Sequence, residues 1–314
     1  MPTVTPIPLA YNNVYLVEDG GERVLVDCGP DYEGAWEELQ AALAGRQPDV
    51  VVATHGHSDH AGLGARWIEA GVPVAMGAAD LHFTTAPPLM AHNEFEHMAA
   101  FVRECGAPAR VVEEAIEGLE RRRAQGRAAK QGYPPPGSRP HWPTGLRYRT
   151  FSPALALTGG EDLGAGLRVV ACPGHTPGNV VLVHEAEGWL FSGDQLLPEI
   201  TPTPAIQVDP EARIDWRFRS LPAFVRSMEG LARASYSRCF PGHGEAFNDV
   251  EALIATNLAQ IGERTRRVAE AMGEGATLYE VCERLYPRAL KRRFWQIVPT
   301  VLGHLDLIEA HAAR

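Results

Sequence analysis

Residues Thr54–Gly62 read "THGHSDHAG", placing three histidines (His55, His57 and His60) and one aspartate (Asp59) within six positions. The preceding "DVVVAT" is a short apolar, β-branched run and reads as a strand. The following "HAGLGARWIEAG" reads as one helix, which Ser58 can cap and Gly71 stops. The cluster therefore sits on a strand-to-helix turn. A buried group of ionisable side chains is costly unless something compensates it, so further partners are expected elsewhere in the chain.

Three partners have the same context, each just after a short apolar strand. "LRVVACPGH" delivers His175, "WLFSGD" delivers Asp194, and "SRCFPGH" delivers His243. Loops at the ends of several strands converge on one rim of a sheet structure, where a rigid scaffold positions functional side chains. The flanking Gly174, Gly178, Gly193, Gly242 and Gly244 permit the tight backbone that close approach requires. Five histidines and two aspartates are too many donors for one tetrahedral ion. They suit two divalent ions: one held by three histidines, the other by two histidines and an aspartate, with a carboxylate bridging. Nitrogen and oxygen donors favour Zn²⁺, with Mn²⁺ or Fe²⁺ also compatible. The remaining histidines, among them His82, His97, His184 and His304, read as surface or helix-face residues; His141 is the one expected to touch substrate.

Outward from these motifs the grammar alternates. "VYLVEDGGERVLVDCG" reads as two strands joined by a Gly-Gly turn, "YEGAWEELQAALAG" as a helix, and "VPVAMG" as another strand. From about residue 82 to 149 the chain becomes helical and proline-rich, with helices in "HNEFEHMAAFVRECGAP" and "ARVVEEAIEGLERRRAQGRAAK" and a stiff "GYPPPGSRPHWP". Strand grammar then returns to about residue 250, and a helical tail follows. Thr277-x-x-Glu280 signals a helix start in that tail, while Pro299 interrupts the helical pattern of its last segment.

Composition narrows the classes. The chain has 314 residues, 45% of them hydrophobic, with net charge −10 and five scattered cysteines without a CxxC pair. A disulfide framework is not expected, and cytoplasmic placement fits best. No apolar run is long enough to span a membrane, and the N-terminal stretch lacks signal-peptide grammar. The acidic balance argues against general nucleic-acid binding.

The ordered set His55-x-His57-x-Asp59-His60, then His175 in "PGHTPG", Asp194 in "FSGD" and His243 in "PGHG", resembles the metallo-β-lactamase superfamily. "VLVDCG", with Asp27, adds to the likeness. The resemblance covers roughly residues 5–80 and 150–250. It implies an α/β fold, the four-layer αββα sandwich, formed by residues 1–81 and 150–250. Residues 82–149 would be a helical, proline-rich insertion acting as a lid, and residues 251–314 a helical, winged-helix-like domain. By the same likeness His55, His57 and His175 hold the first ion, and Asp59, His60 and His243 the second. Asp194 bridges them, and Asp27 supports the histidines from behind.

The activity implied is hydrolysis by a hydroxide shared between two ions, with Asp59 and Asp194 orienting it and relaying its proton. β-Lactamases of the superfamily usually have cysteine where Asp194 stands, which points away from β-lactams. The insertion points to a small ester or thioester, with Tyr133, His141 and Trp142 lining its path. A phosphodiesterase or endoribonuclease, and an iron-dependent oxidoreductase of the same fold, are the alternatives. The partner expected is a small molecule rather than a membrane or nucleic acid, and a homo-oligomer is compatible with the sequence.

Overall fold

The computed structural model describes residues 1–85, 92–129, 146–147, 149–200, 206–209 and 216–313, with only the backbone described at 92–94 and 122–129. The N-terminal half opens with β1 (Thr3–Pro8), β2 (Asn13–Asp19) and β3 (Glu22–Val26). Gly20 and Gly21 turn β2 into β3 with φ of 58° and 93°, the positive values that a two-residue hairpin turn needs. Then come α1 (Ala35–Leu43), β4 (Val50–Ala53), α2 (Ser58–Ala61), α3 (Gly64–Glu69), β5 (Val74–Gly77), a 3₁₀ turn (Ala78–Asp80) and α4 (Leu81–Thr85). The single helix expected after the histidine cluster is two. His57, not Ser58, is the N-cap of α2, and the backbone re-forms at Leu63 before α3 starts.

The insertion contributes α5 (His92–Glu104) and α6 (Ala109–Ala129). The second half contains β6 (Leu155–Leu157), β7 (Leu167–Ala171), β8 (Val180–His184), β9 (Trp189–Gly193), β10 (Gln207–Val208), β11 (Arg217–Phe218), α7 (Ser220–Leu231) and β12 (Arg238–Pro241). The tail is α8 (Val250–Ala271), α9 (Leu278–Leu285) and α10 (Phe294–Ala312).

One sheet has the order β1-β2-β3-β4-β5-β6, antiparallel across β1, β2 and β3 and parallel from β3 onward. The other has the order β12-β9-β8-β7, with β12 parallel to β9 and the rest antiparallel. Alternation decides the packing, because successive side chains in a strand face opposite sides. Val17, Val24, Val26, Val50 and Val52 of the first sheet meet Leu167, Val169, Leu182, Phe191 and Phe240 of the second in one inner cluster. Val14, Leu16, Leu25 and Val51 face outward and pack on Leu39 and Leu43 of α1 and Trp67 of α3. Val181, Leu190 and Cys239 face outward from the second sheet onto Phe224 and Met228 of α7 and Ile254 of α8. Burial of each such side chain contributes about 1.5–3 kcal/mol, and the result is the αββα sandwich that the motifs implied.

The insertion and the tail share a core. Phe101 and Val102 of α5, Cys105 just after it, and Ala115 of α6 are buried with Tyr279, Val281, Phe294, Val298 and Val301 of the tail. The tail is helical, and its described residues beyond 250 form no strand. Thr277 and Glu280 form the capping box that their spacing predicted. α10 continues through Pro299, which is buried, and packing there offsets the helix-breaking cost of about 3 kcal/mol. Two expected surface or helix-face histidines, His184 and His304, are instead buried, each 3% exposed. Among the described residues, no helix is long and apolar enough to cross a membrane.

Candidate metal centre

All seven candidate donors lie on one rim. His55 and His57 follow β4, while Asp59 and His60 lie on the single turn of α2. His175 lies between β7 and β8, Asp194 directly follows β9, and His243 follows β12. Parallel neighbours end at the same rim, so β3, β4 and β5 of one sheet and β9 and β12 of the other deliver their C-terminal residues together.

The donors fall into overlapping triples. His55, His57 and His175 form one, Asp59, His60 and His243 another, and His55, His60 and Asp194 a third, with the donor atoms of each within 4.8 Å of one another. His57 Nδ1 lies 3.0 Å from His55 Nε2 and 3.1 Å from His175 Nε2. His243 Nε2 lies 3.2 Å from both Asp59 Oδ2 and Asp194 Oδ1. Asp194 faces both outer triples, its Oδ1 3.3 Å from His60 Nε2 and its Oδ2 3.5 Å from His175 Nε2.

Gly242 shows how tight the floor is. A Cβ there would lie 2.6 Å from His60 Cε1 and 2.8 Å from Asp194 Oδ1. Its loop is held by the first hairpin, where Tyr15 Oη donates to Pro241 O at 2.8 Å and Asn13 N donates to Gly242 O at 2.7 Å.

Asp27 supports the cluster from below. It has φ 68°, a left-handed conformation that aspartate tolerates better than most residues. Its Oδ1 accepts from Thr54 N and Oγ1, both at 2.8 Å, and its Oδ2 lies 2.7 Å from His60 Nδ1. That contact leaves His60 Nε2 facing the other donors. A second buried aspartate, Asp80, follows β5. It accepts from Gly56 N, Thr176 Oγ1 and Gly178 N, and burial, opposed by those three donors, pushes its pKa up to about 6. Gln207 on β10 donates to His175 O, and Phe83 of α4 stands edge-on to His57 with ring centres 5.9 Å apart.

Electrostatics divide the site. Burial, then the neighbouring imidazoles, hold His55 well below the usual histidine pKa, and burial lowers His57 to about 3. Burial also lowers His175. These three are neutral near pH 7 with lone pairs free for a cation. Burial opposes charge on His60 and His243 too, but the surrounding aspartates override it, so that His60 is raised well above its usual value and His243 reaches about 9. Asp59 and Asp194 are held low, their desolvation outweighed by His60 and His243. The chemistry fits bound cations. Both oxygens of Asp59, Oδ1 of Asp194 and Nδ1 of His175 are buried without an aligned hydrogen-bond partner among the described residues, and such atoms are costly unless satisfied.

Sequence reading missed Asp80, Thr54, Thr176 and Gln207, whereas Phe83 belongs to the apolar residues of the insertion expected to line a pocket or a subunit contact. Asp80 had a signal, an aspartate just past a strand like Asp27, but its partners are distant in sequence. Tyr133, His141 and Trp142 lie outside the described residues.

A face-to-face double sheet with helices on both outer sides, and a histidine–aspartate cluster on one rim, defines a class of metal-dependent hydrolase folds. The chain belongs to the metallo-beta-lactamase superfamily, whose family model matches residues 7–243. It is 29% identical to the Bacillus subtilis (strain 168) protein named "Probable metallo-hydrolase YqjP", covering 98% of this chain and 91% of that one. Its fold is that of a metallo-beta-lactamase family protein from Thermus thermophilus, with TM-score 0.69, 24% identity, and coverage of 99% of this chain and 94% of the other. A beta-lactamase domain protein from Burkholderia ambifaria shares the fold at TM-score 0.65 and 23% identity, covering 99% and 86% of the two chains.

Proposed function

We propose that the chain is a dinuclear hydrolase of small esters or thioesters, working in the cytoplasm. The observation that carries this reading is the overlapping set of donors, with Asp194 facing both outer triples. His55, His57 and His175 would hold one ion, Asp59, His60 and His243 the other, and Asp194 would lie between them. Three-nitrogen and mixed nitrogen–oxygen sets suit Zn²⁺, with Mn²⁺ or Fe²⁺ accommodated by the same atoms. Bound there, divalent ions would supply Lewis acidity and a water acidic enough to be a nucleophile near neutral pH.

The protein's own groups do the rest. The carboxylates of Asp59 and Asp194, ionised and buried, orient the attacking water and receive its proton. Asp27 fixes the ring of His60. Phe83 gives the side of the site next to His57 an apolar wall, which suits an acyl group better than the charged phosphodiester backbone of RNA. The insertion that begins there is the proposed lid, with Tyr133, His141 and Trp142 as its substrate-facing residues. Five buried cysteines without a disulfide support the reducing compartment.

Elemental analysis of the purified chain should find close to two ions. The loaded protein should turn over model thioesters or esters faster than a phosphodiester or RNA, and a chromogenic cephalosporin poorly. One ion at full occupancy in active protein would overturn the dinuclear reading. Preferential RNA cleavage would replace the substrate class.

A further inference from the structure

The three histidines of the first triple do not come from one scaffold. His55 and His57 follow β4 of the six-stranded sheet, and His175 lies on a loop of the four-stranded sheet. Something must keep the two loops in register, because sheets packed only through apolar side chains can slide by fractions of an ångström, and a metal site tolerates little of that. Asp27 cannot do this. Its bonds go to Thr54 and His60, which follow β4 of its own sheet.

Asp80 is placed to do it. β5 lies between β4 and β6 in the first sheet, so the residue leaving its C-terminal end emerges beside the residues leaving β4. Its Oδ2 accepts from Gly56 N at 2.9 Å and from Thr176 Oγ1 at 2.5 Å, and its Oδ1 accepts from Gly178 N at 2.6 Å. Gly56 stands between His55 and His57, and Thr176 follows His175. One fully buried carboxylate is thus bonded to both loops of the triple. The backbones around it are pressed together. A Cβ at Gly77 would lie 1.8 Å from Gly178 O, and one at Gly178 would lie 2.4 Å from Asp80 N. Gly56 is also backed by Phe83, whose ring would lie 2.5 Å from a Cβ there.

We propose that Asp80 is the positioning residue of the first ion's site, a clasp between the two sheets that sets the distance from His55 and His57 to His175. The proposal rests on the metal reading above. Only a carboxylate satisfies all three donors. An amide has one acceptor oxygen, so in Asp80→Asn either Gly56 N–H or Gly178 N–H must face an NH₂ group. The second triple, Asp59, His60 and His243, receives no bond from Asp80.

The test is equilibrium binding of Zn²⁺ and of Co²⁺, the latter followed by its ligand-field absorption, to the metal-stripped full chain. Wild-type protein should take up two ions. Asp80→Asn should bind one with affinity within about threefold of wild type and the other about 10–100-fold more weakly, with the Co²⁺ band of the weakened site altered. Thr176→Val, which removes a single arm and keeps the shape, should weaken the same ion to a smaller degree; it provides the test if Asp80→Asn does not fold. Val102→Ala, in the core shared by α5 and the tail, should lower Tm while leaving both ions bound. Two unaffected ions in both clasp variants, or equal weakening of both ions, would overturn the clasp alone. A wild-type chain that binds neither metal would overturn the metal reading and the clasp together.

Discussion

His304 illustrates what burial does to a single ionisable group. It lies on α10 against α8, and its Nδ1 is 2.8 Å from Thr265 Oγ1. That hydroxyl donates to Ile261 O, so the ring nitrogen donates to it in turn. Burial, then the positive charge of Arg264, lowers its pKa to about 4. A histidine depressed in the fold and ordinary in the unfolded chain holds fewer protons when folded. Its contribution to stability is therefore complete above about pH 6.5 and falls as pH drops toward 4, by about 3 kcal/mol across that window. His304→Gln should flatten this part of the stability–pH curve, measured by denaturant unfolding between pH 7 and 4.5. An unchanged slope would show that the ring is free to ionise in the native state. Its spacing along the helix was visible beforehand, but its burial was not, because the neighbour that covers it is 39 residues away in sequence.

At the scale of elements, the strands were the most legible parts. Short apolar runs appear as β3, β4, β7, β9 and β12 nearly as read. Helices were legible where a cap or a left-handed stop marks them. α1 ends at Ala44 and Gly45, with φ of 50° and 79°, and α9 begins on its capping box. The split between α2 and α3 was not legible, because it is imposed by contact. Gly62 keeps helical dihedrals and the helix breaks at Leu63; a Cβ at Gly62 would lie 2.8 Å from Asp31 N, so the loop after β3 passes close beside that junction. α4 borders the donor cluster. Its Phe83 touches both Gly56 and His57. Phe83→Ala should raise KM for a small acyl substrate several-fold and leave metal content unchanged, as read by steady-state kinetics beside elemental analysis. An unchanged KM would remove Phe83 from the substrate wall. The helices that follow, α5 and α6, are anchored on the tail, so the lid proposal concerns an insertion whose base is fixed to α9 and α10.

For the whole molecule, the ions and the fold should stabilise each other. Without cations, Asp59 and Asp194 keep buried oxygens that no donor is aligned to satisfy among the described residues. Ions that bind only the native state at a hundred times their dissociation constant stabilise it by about 2.7 kcal/mol. Stripping with a chelator should therefore lower Tm by at least about 5 °C, and adding Zn²⁺ back should restore it. A Tm indifferent to chelation would mean that the rim holds no ion tightly. The amino-acid sequence by itself determined which side chains could bind metal and that their motifs each follow a short strand, since residue type and apolar runs are local properties. The tertiary structure decided how closely the donors of each triple approach one another, that Asp80 joins loops from different sheets, and that the insertion rests on the tail. Those facts depend on distances between segments as far apart in the chain as Tyr15 and Pro241, 226 positions, and only packing the two sheets face to face sets those distances.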